Sequence, residues 1–248
     1  MDFRTPLSVD EELKMLVESR AREAGPRVER VEQGGQVFWI KRPEKLDLRF
    51  RLQKGNPEKA FMRERQAYHE MNAVQAPVPQ VVADGPDFLV LPDCGKDLRQ
   101  RLGDVGSGGE GRDLLLNASQ SLGAFHTLGF AHGRPSPKDM CLVEGKVLLL
   151  DFERYQTKNN TPKGQARDLV IFAFNVAANS AQMRPALGGA MAAYRNAAPS
   201  GIWGMSQQLC RRLKWVDWLT KPIQMRPGNR SREIKAIPFV MDLFLADA

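Results

Sequence analysis

Residues 132–153, HGRPSPKDMCLVEGKVLLLDFE, gather the side chains best suited to chemistry. Asp139 follows His132 by seven positions, and an apolar run ends in Asp151-Phe152-Glu153. Glu144-Gly145 is a turn signal, so the stretches on either side are expected to fold back as a hairpin. That hairpin would bring Asp139 and Asp151 close together. Two neighbouring carboxylates repel, and a hard cation such as Mg²⁺ is the usual relief. The alternative is a surface hairpin whose acids pair with Lys138 or Lys146.

Two further residues suit the same chemistry. Lys41 ends the alternating run QVFWIK, in which Val37, Trp39 and Lys41 share one face and Phe38 and Ile40 the other. A lysine in that place is either a snorkelling edge residue or a cation delivered to a strand end. Glu64, in MRERQ, shares a helical stripe with Phe61 and Tyr68. A carboxylate on a buried stripe needs a partner, because unpaired burial costs several kcal/mol. Lys41 is the nearest candidate; a neighbouring surface arginine is the other.

Positioning these groups takes a definite series of elements. Residues 7–24 read as a helix stopped by Gly25-Pro26. VERVE (28–32) and QVFWIK (36–41), joined by Gln33-Gly34-Gly35, form a hairpin signature. Asn56-Pro57-Glu58 opens a helix carrying Phe61, Glu64, Tyr68 and Met71. PQVVADG and DFLVLPD supply two more strands around Gly85-Pro86. Residues 102–111, LGDVGSGGEG, read as a loop by composition, before a strong helix with Leu115, Ala118, Leu122 and Phe125 at helical spacing. Strands early and helices late predict an α+β chain. The composition shift near 91–96 divides it into a β-rich lobe, 1–91, and a mainly helical lobe, 92–248.

With 248 residues, 42% hydrophobic and 26% charged, the chain is sized and composed as a globular protein with a sizeable core. The run LVIFAFNVAA (169–178) is too short to span a bilayer. The acidic start MDFRTPLSVDEELK is unlike a signal peptide, which places the protein in the cytoplasm. Three cysteines without C-x-x-C spacing suit reduced thiols rather than disulfides or zinc. The net charge of +7 favours anionic partners: phosphorylated substrates, acidic lipid headgroups or nucleic acid.

From about residue 28 to 180 the order of these motifs resembles the protein-kinase-like superfamily, and most of all the bacterial lipopolysaccharide core (Kdo/heptose) kinases and small atypical relatives. VFWIK is similar to the strand whose lysine, here Lys41, holds the α- and β-phosphates. FMRER is similar to the helix whose glutamate, here Glu64, orients it. FLVLPDCG resembles the hinge, with backbone around Leu91–Asp93 meeting adenine. SLGAFHTLGFAHG resembles the long helix entering the catalytic loop, and LLLDFE the Asp-Phe-Gly metal motif, with Asp151 as ligand. ARDLVIFAF resembles the helix whose aspartate, Asp168, braces that loop. The resemblance implies a two-lobed kinase-like fold, ATP and Mg²⁺ as cofactors, and phosphorylation of a hydroxyl.

The departures are specific. Gly34-Gly35 stands alone as the phosphate-covering turn, with no G-x-G-x-x-G. Trp39 replaces the small residue beside adenine and would either stack on the base or obstruct it. Glu153 replaces a glycine. In HGRPSPKD, Arg134 occupies the catalytic aspartate's position and Asp139 that of the metal-binding asparagine. Arginine cannot accept a proton, yet positioning and charge stabilisation dominate phosphoryl transfer. Asp139 would then bind Mg²⁺ or serve as a displaced base, while Lys138 and Arg134 would neutralise phosphate. The substrate the resemblance implies is an inner-core sugar, an anionic glycolipid or phosphorylated sugar met at the cytoplasmic face of the inner membrane; nucleic acid is not an expected partner. A pseudokinase binding module and a small protein Ser/Thr kinase are the alternatives. The segment 202–219, with Trp203, Trp215 and Trp218 among Arg211, Arg212 and Lys214, reads either as a membrane-facing helix or as a core-facing one. Between Lys41 and Lys54, Arg42, Lys45, Arg49 and Arg51 are further candidates to meet substrate phosphates.

Overall fold

The computed structural model describes residues 10–44, 56–226, 228 and 231–246. The chain divides into two compact units, Met1–Gly95 with Asp151–Tyr155, and Lys96–Leu150 with Gln156–Ala248. The fold class is α+β: among the described residues, the first unit has an antiparallel sheet and two helices, and the second is mainly helical with one short hairpin.

In the first unit, α1 (Glu11–Arg22) starts at Asp10, whose carboxylate accepts from Leu13 N at 2.7 Å. Strands β1 (Val28–Gln33) and β2 (Gln36–Lys41) pair with Gln33 opposite Gln36, so Gly34 and Gly35 are the whole turn. Their φ values of 57° and 72° are the left-handed pair that a two-residue hairpin requires. The sheet continues through β4 (Leu89–Pro92) to β3 (Ala83–Asp84), in the order β1-β2-β4-β3. Phe38, Ile40 and Val90 meet Leu13, Val17 and Ala21 of α1 in a core that also holds Ala83 and Phe88. Period-two alternation therefore leaves Trp39 and Lys41 on the other face of β2. Helix α2 (Pro57–Ala73) is capped by Asn56 and has Pro57 at its first position. It buries Phe61, Glu64, Ala67, Tyr68 and Met71, a stripe at three- and four-residue spacing.

In the second unit, α3 (Leu98–Val105) and α4 (Gly109–Thr127) replace most of the loop expected over 102–111. Composition misled here because Asp97 caps α3 through Gln100 N, and Leu98 and Leu102 are buried. The break falls at Gly106, with φ 65°. Its carbonyl lies so near Gly111 that a Cβ there would sit 2.1 Å from it. Strands β5 (Met140–Val143) and β6 (Lys146–Leu149) form the expected hairpin, closed by Glu144-Gly145. Helices α5 (Pro162–Asn179), α6 (Leu187–Ala197), α7 (Ile202–Gln224) and α8 (Arg232–Leu245) complete the unit, with α4 packed on α6 and α5 on α7 and α8.

Candidate functional site

Within the first unit, the end of β2 and the buried stripe of α2 meet through charge. Lys41 Nζ lies 2.6 Å from Glu64 Oε1, with the lysine side chain 24% exposed and the glutamate 6%. The carboxylate is thus compensated by a cation that still reaches solvent. One turn along α2, Tyr68 is fully buried, and its ring meets Phe152 edge-on at 5.1 Å. Burial, with the charges of Glu64 and Asp151 nearby, holds the Tyr68 phenol well above its ordinary range, so it stays neutral. Its hydroxyl makes no hydrogen bond of good geometry. Lys41, Glu64 and Asp151 accordingly belong to one unit, around Tyr68.

Asp151 has φ 61°, a left-handed conformation that aspartate tolerates better than most side chains. Two contacts in the same unit hold the residues that follow. Glu153 pairs with Arg27, and Tyr155 donates to Glu70 Oε2 at 3.3 Å. The Asp-Phe-Glu departure is therefore met by a local ion pair. On β2, Trp39 is also held, its Nε1 donating to Asp93 Oδ1 at 2.6 Å. The other oxygen of Asp93 accepts from Gly95 N, and Asp93 N donates to Val37 O. Leu91 is buried opposite Trp39. Gly34 and Gly35 form the β1–β2 turn.

Within the second unit, the chain from 126 to 139 is held largely by α5. Asp168, fully buried, accepts from Gly133 N with both oxygens, at 3.0 and 3.1 Å. His126 Nε2 lies 3.7 Å from the same carboxylate, and its Nδ1 is 2.5 Å from Tyr194 Oη. Burial lowers the His126 pKa against the pull of Asp168, so the ring is neutral. A carboxylate accepts only, which assigns the proton to Nε2 and makes Nδ1 the acceptor of the Tyr194 hydroxyl. Gln165 Nε2 donates to the carbonyls of His126 and Phe130, and Asn175 Nδ2 to that of Pro135. Gln165, Asp168 and Asn175 share one face of α5, at helical spacing. Of the three, only Asp168 stands out in the sequence; Asn175 falls inside the apolar run 169–178. Its position seven residues after Asp168 was the available signal.

His132 Nε2 lies 2.8 Å from Leu150 O, and Leu150 N donates to Asp139 O at 2.8 Å, so the hairpin register runs to the residue before Asp151. Asp139 is buried, with Lys138 Nζ 3.5 Å from its Oδ1. That ion pair is the one the surface-hairpin alternative called for. Arg134 is exposed and has no acidic partner among the described residues.

One expectation needs correction. Arg42 is not held out towards phosphates: its side chain is 10% exposed and pairs with Glu29 at 2.8 Å. Lys45, Arg49 and Arg51 lie outside the described residues. The segment 202–219 divides between its two readings: α7 buries Ile202, Ser206 and Cys210. Trp203 is packed at 4.8 Å on Phe244 and lies under Arg195, whereas Trp215 and Trp218 are 60% and 75% exposed.

No protein-family model matches the chain. A stretch of 139 residues is 32% identical to an uncharacterized protein of Haemophilus influenzae, covering 56% of this chain and 57% of that one. The match thus spans a little over half of the relative's length. Two solved structures are similar in fold at low identity. One is a divergent kinase, lacking the glycine-rich loop, that regulates membrane ultrastructure of the Toxoplasma parasitophorous vacuole. It is 17% identical, with a TM-score of 0.45 over 97% of this chain and 83% of that one. The other is the gentamicin–APH(2")-IIa complex, 9% identical, with a TM-score of 0.44 over 96% of this chain and 99% of that one.

Proposed function

We propose that the protein is a phosphotransferase that moves a phosphoryl group from ATP to a hydroxyl. The observation that carries this reading is the Lys41–Glu64 pair, a solvent-reaching cation oriented by a buried carboxylate, in one unit with the left-handed Asp151. Lys41 would hold nucleotide phosphates, Gly34-Gly35 would cover them, and Trp39, Leu91 and Asp93 would line the base. Asp151 and Asp139 are the proposed Mg²⁺ ligands. Among the described residues, no three His, Cys, Asp or Glu side chains gather into a metal cage. That fits Mg²⁺, which takes one or two carboxylates and fills its shell with phosphate oxygens and water. Bound there, the ion would neutralise charge on the phosphates. As the alternative to holding the ion, Asp139 would accept the hydroxyl proton; in either role Lys138 and Arg134 would steady the transferred group.

The proposed acceptor is an anionic glycolipid or phosphorylated sugar, with an inner-core lipopolysaccharide sugar as the first compound to try. Trp215, Trp218, Leu219 and Met225 of the α7 region are 60–81% exposed, and Arg211, Lys214, Lys221 and Arg226 stand among them. Amphipathic rings with cationic neighbours suit an anionic membrane surface. Among the described residues, no helix is long and apolar enough to cross a membrane.

Mg·ATP should raise the melting temperature of the wild type, since a ligand of the native state stabilises it. Asp151→Ala should remove most of that rise, and Asp139→Ala should slow turnover by about 100-fold. Equal melting shifts in wild type and Asp151→Ala would sink the nucleotide assignment. Arg134, a residue unable to accept a proton, favours the second reading, a pseudokinase. That reading is the one left standing if Mg·ATP binds yet no acceptor is phosphorylated by the wild type or by Arg134→Asp.

A further inference from the structure

A cavity of roughly 360 Å³ lies within the second unit, where the start of α5 meets α7. Lys163 and Arg167 line it from α5 and Arg212 from α7, and among the described residues no acidic side chain does. All three are exposed, and none has an ion-pair partner among the described residues. Three like charges around one concavity repel one another, and an anion entering it would relieve them. The helix terminus does not carry the site. Pro162 has no N–H, and Gly164 N and Gln165 N already bond to Thr161 Oγ1 and O, at 3.1 and 2.9 Å. The charged side chains carry it, with Asn159 and Gln208 adding polar groups to the same wall.

The rest of the lining says what the anion is attached to. Met205 and Leu209 give the wall an apolar portion. Along α7, the face that bears Met205, Gln208 and Arg212 continues at helical spacing to Trp215 and Leu219, each 60% exposed. An anionic group in the cavity would therefore leave any attached chain running over exposed apolar side chains. We infer that this cavity binds the phosphate group of an amphiphile, with Lys163, Arg167 and Arg212 on the phosphate and Trp215 and Leu219 against the apolar part. The inference rests on the membrane-surface reading above for the apolar part alone; the phosphate site needs neither that reading nor any phosphoryl transfer.

The test uses the full chain without nucleotide. Inorganic phosphate, compared with chloride at equal ionic strength, should raise the melting temperature of the wild type but not of the triple variant Lys163→Gln/Arg167→Gln/Arg212→Gln. Phosphatidylcholine vesicles containing phosphatidic acid should sediment the wild type, pure phosphatidylcholine vesicles should not, and the triple variant should bind the acidic vesicles about 100-fold more weakly. Trp215→Ser, outside the cavity, should keep the phosphate response and lose vesicle affinity. A phosphate response that needs the three cations, without vesicle binding, would support the site and assign it to a soluble phosphate compound. A wild type that ignores phosphate, or a triple variant that keeps the phosphate response or the vesicle binding, overturns the inference. Because the triple variant should retain the Mg·ATP melting shift, loss of the nucleotide reading and loss of this one are separately visible.

Discussion

Glu64 in the first unit and Asp168 in the second are buried carboxylates, each beside a candidate functional segment, and the two are partnered in opposite ways. Glu64 faces an ammonium whose side chain is still 24% exposed, so part of its interaction remains open to a charged ligand. Asp168 is fully buried and meets the one Gly133 N–H with both oxygens and a neutral imidazole beside them, both partners internal. The first carboxylate orients a cation for something outside the chain. The second fixes the path of the chain itself. Depth of burial does not separate the two roles; the identity and reach of the partner do.

If that contrast holds, the largest stability loss belongs to Asp168. Asp168→Ala strands a buried backbone N–H and removes the acceptor facing His126, at a cost of about 3 kcal/mol or more. Urea unfolding measures it, and a loss under about 1 kcal/mol would erase the distinction between brace and ligand-facing acid. Asp168→Asn keeps one acceptor and should recover part of the loss.

Much of the first unit was legible because local rules and tertiary structure agree there. Gly34-Gly35 between alternating strands dictates the two-residue turn, and the Asn56-Pro57 start dictates α2. The apolar spacing of Phe61, Tyr68 and Met71 placed Glu64 on the buried stripe. In the second unit the Glu144-Gly145 hairpin was equally plain. What could not be read were contacts set by side chains far apart in sequence. Gln165 and Asn175 are ordinary polar residues until their bonds to the carbonyls of His126, Phe130 and Pro135 are seen. Arg42 looked like a surface cation because nothing local announces that Glu29, across the hairpin, buries it. Residues 102–111 misled because glycine content outweighed the capping Asp97 and the buried Leu98 and Leu102.

Acid should sharpen the contrast by weakening the units in different windows. Burial lowers the His126 pKa in the folded state, so the unfolded chain binds the extra proton first as pH falls. Stability is then full above the unfolded histidine value of about 6.5 and declines below it, by at most about 1.4 kcal/mol per pH unit. In the first unit, desolvation raises the Glu29 pKa, but the bonds from Arg42 and Arg20 outweigh it and leave the pKa lowered. Its contribution is therefore present above the unfolded glutamate range and lost only as pH falls through the lower folded value. Urea midpoints measured from pH 7.5 downward should show the His126 slope first, and His126→Phe should flatten it. A slope unchanged in that variant would mean another group titrates.

A smaller effect separates function from stability in the first unit. Glu64→Gln keeps an acceptor for Lys41 and should cost about 1 kcal/mol, while removing a large share of the Mg·ATP melting shift. If stability falls by as much as in Asp168→Ala while the nucleotide response stays intact, Glu64 is a structural acid like its counterpart.

The smallest expected effects compare the two tight turns, which have the same geometry built from different residues. Gly34 and Gly35 have φ of 57° and 72°, and Glu144 and Gly145 have 47° and 79°. A side chain in the left-handed region costs about 1 kcal/mol, so the second unit's turn carries a strain at Glu144 that the first unit's turn avoids. Glu144→Gly should therefore be neutral or slightly stabilising, its relief partly offset by the greater freedom of glycine in the unfolded chain. Gly35→Ala should destabilise by about 1 kcal/mol from conformation alone, since a Cβ there has nothing within 4 Å. Gly34→Ala should cost a few tenths of a kcal/mol more, because its Cβ would also lie 3.1 Å from Leu13 Cδ1 in the core beneath the sheet. Urea midpoints of the three variants give the order. Equal losses at Gly34 and Gly35 would mean Leu13 yields freely, and a destabilised Glu144→Gly would show that this glutamate does more in its turn than occupy it.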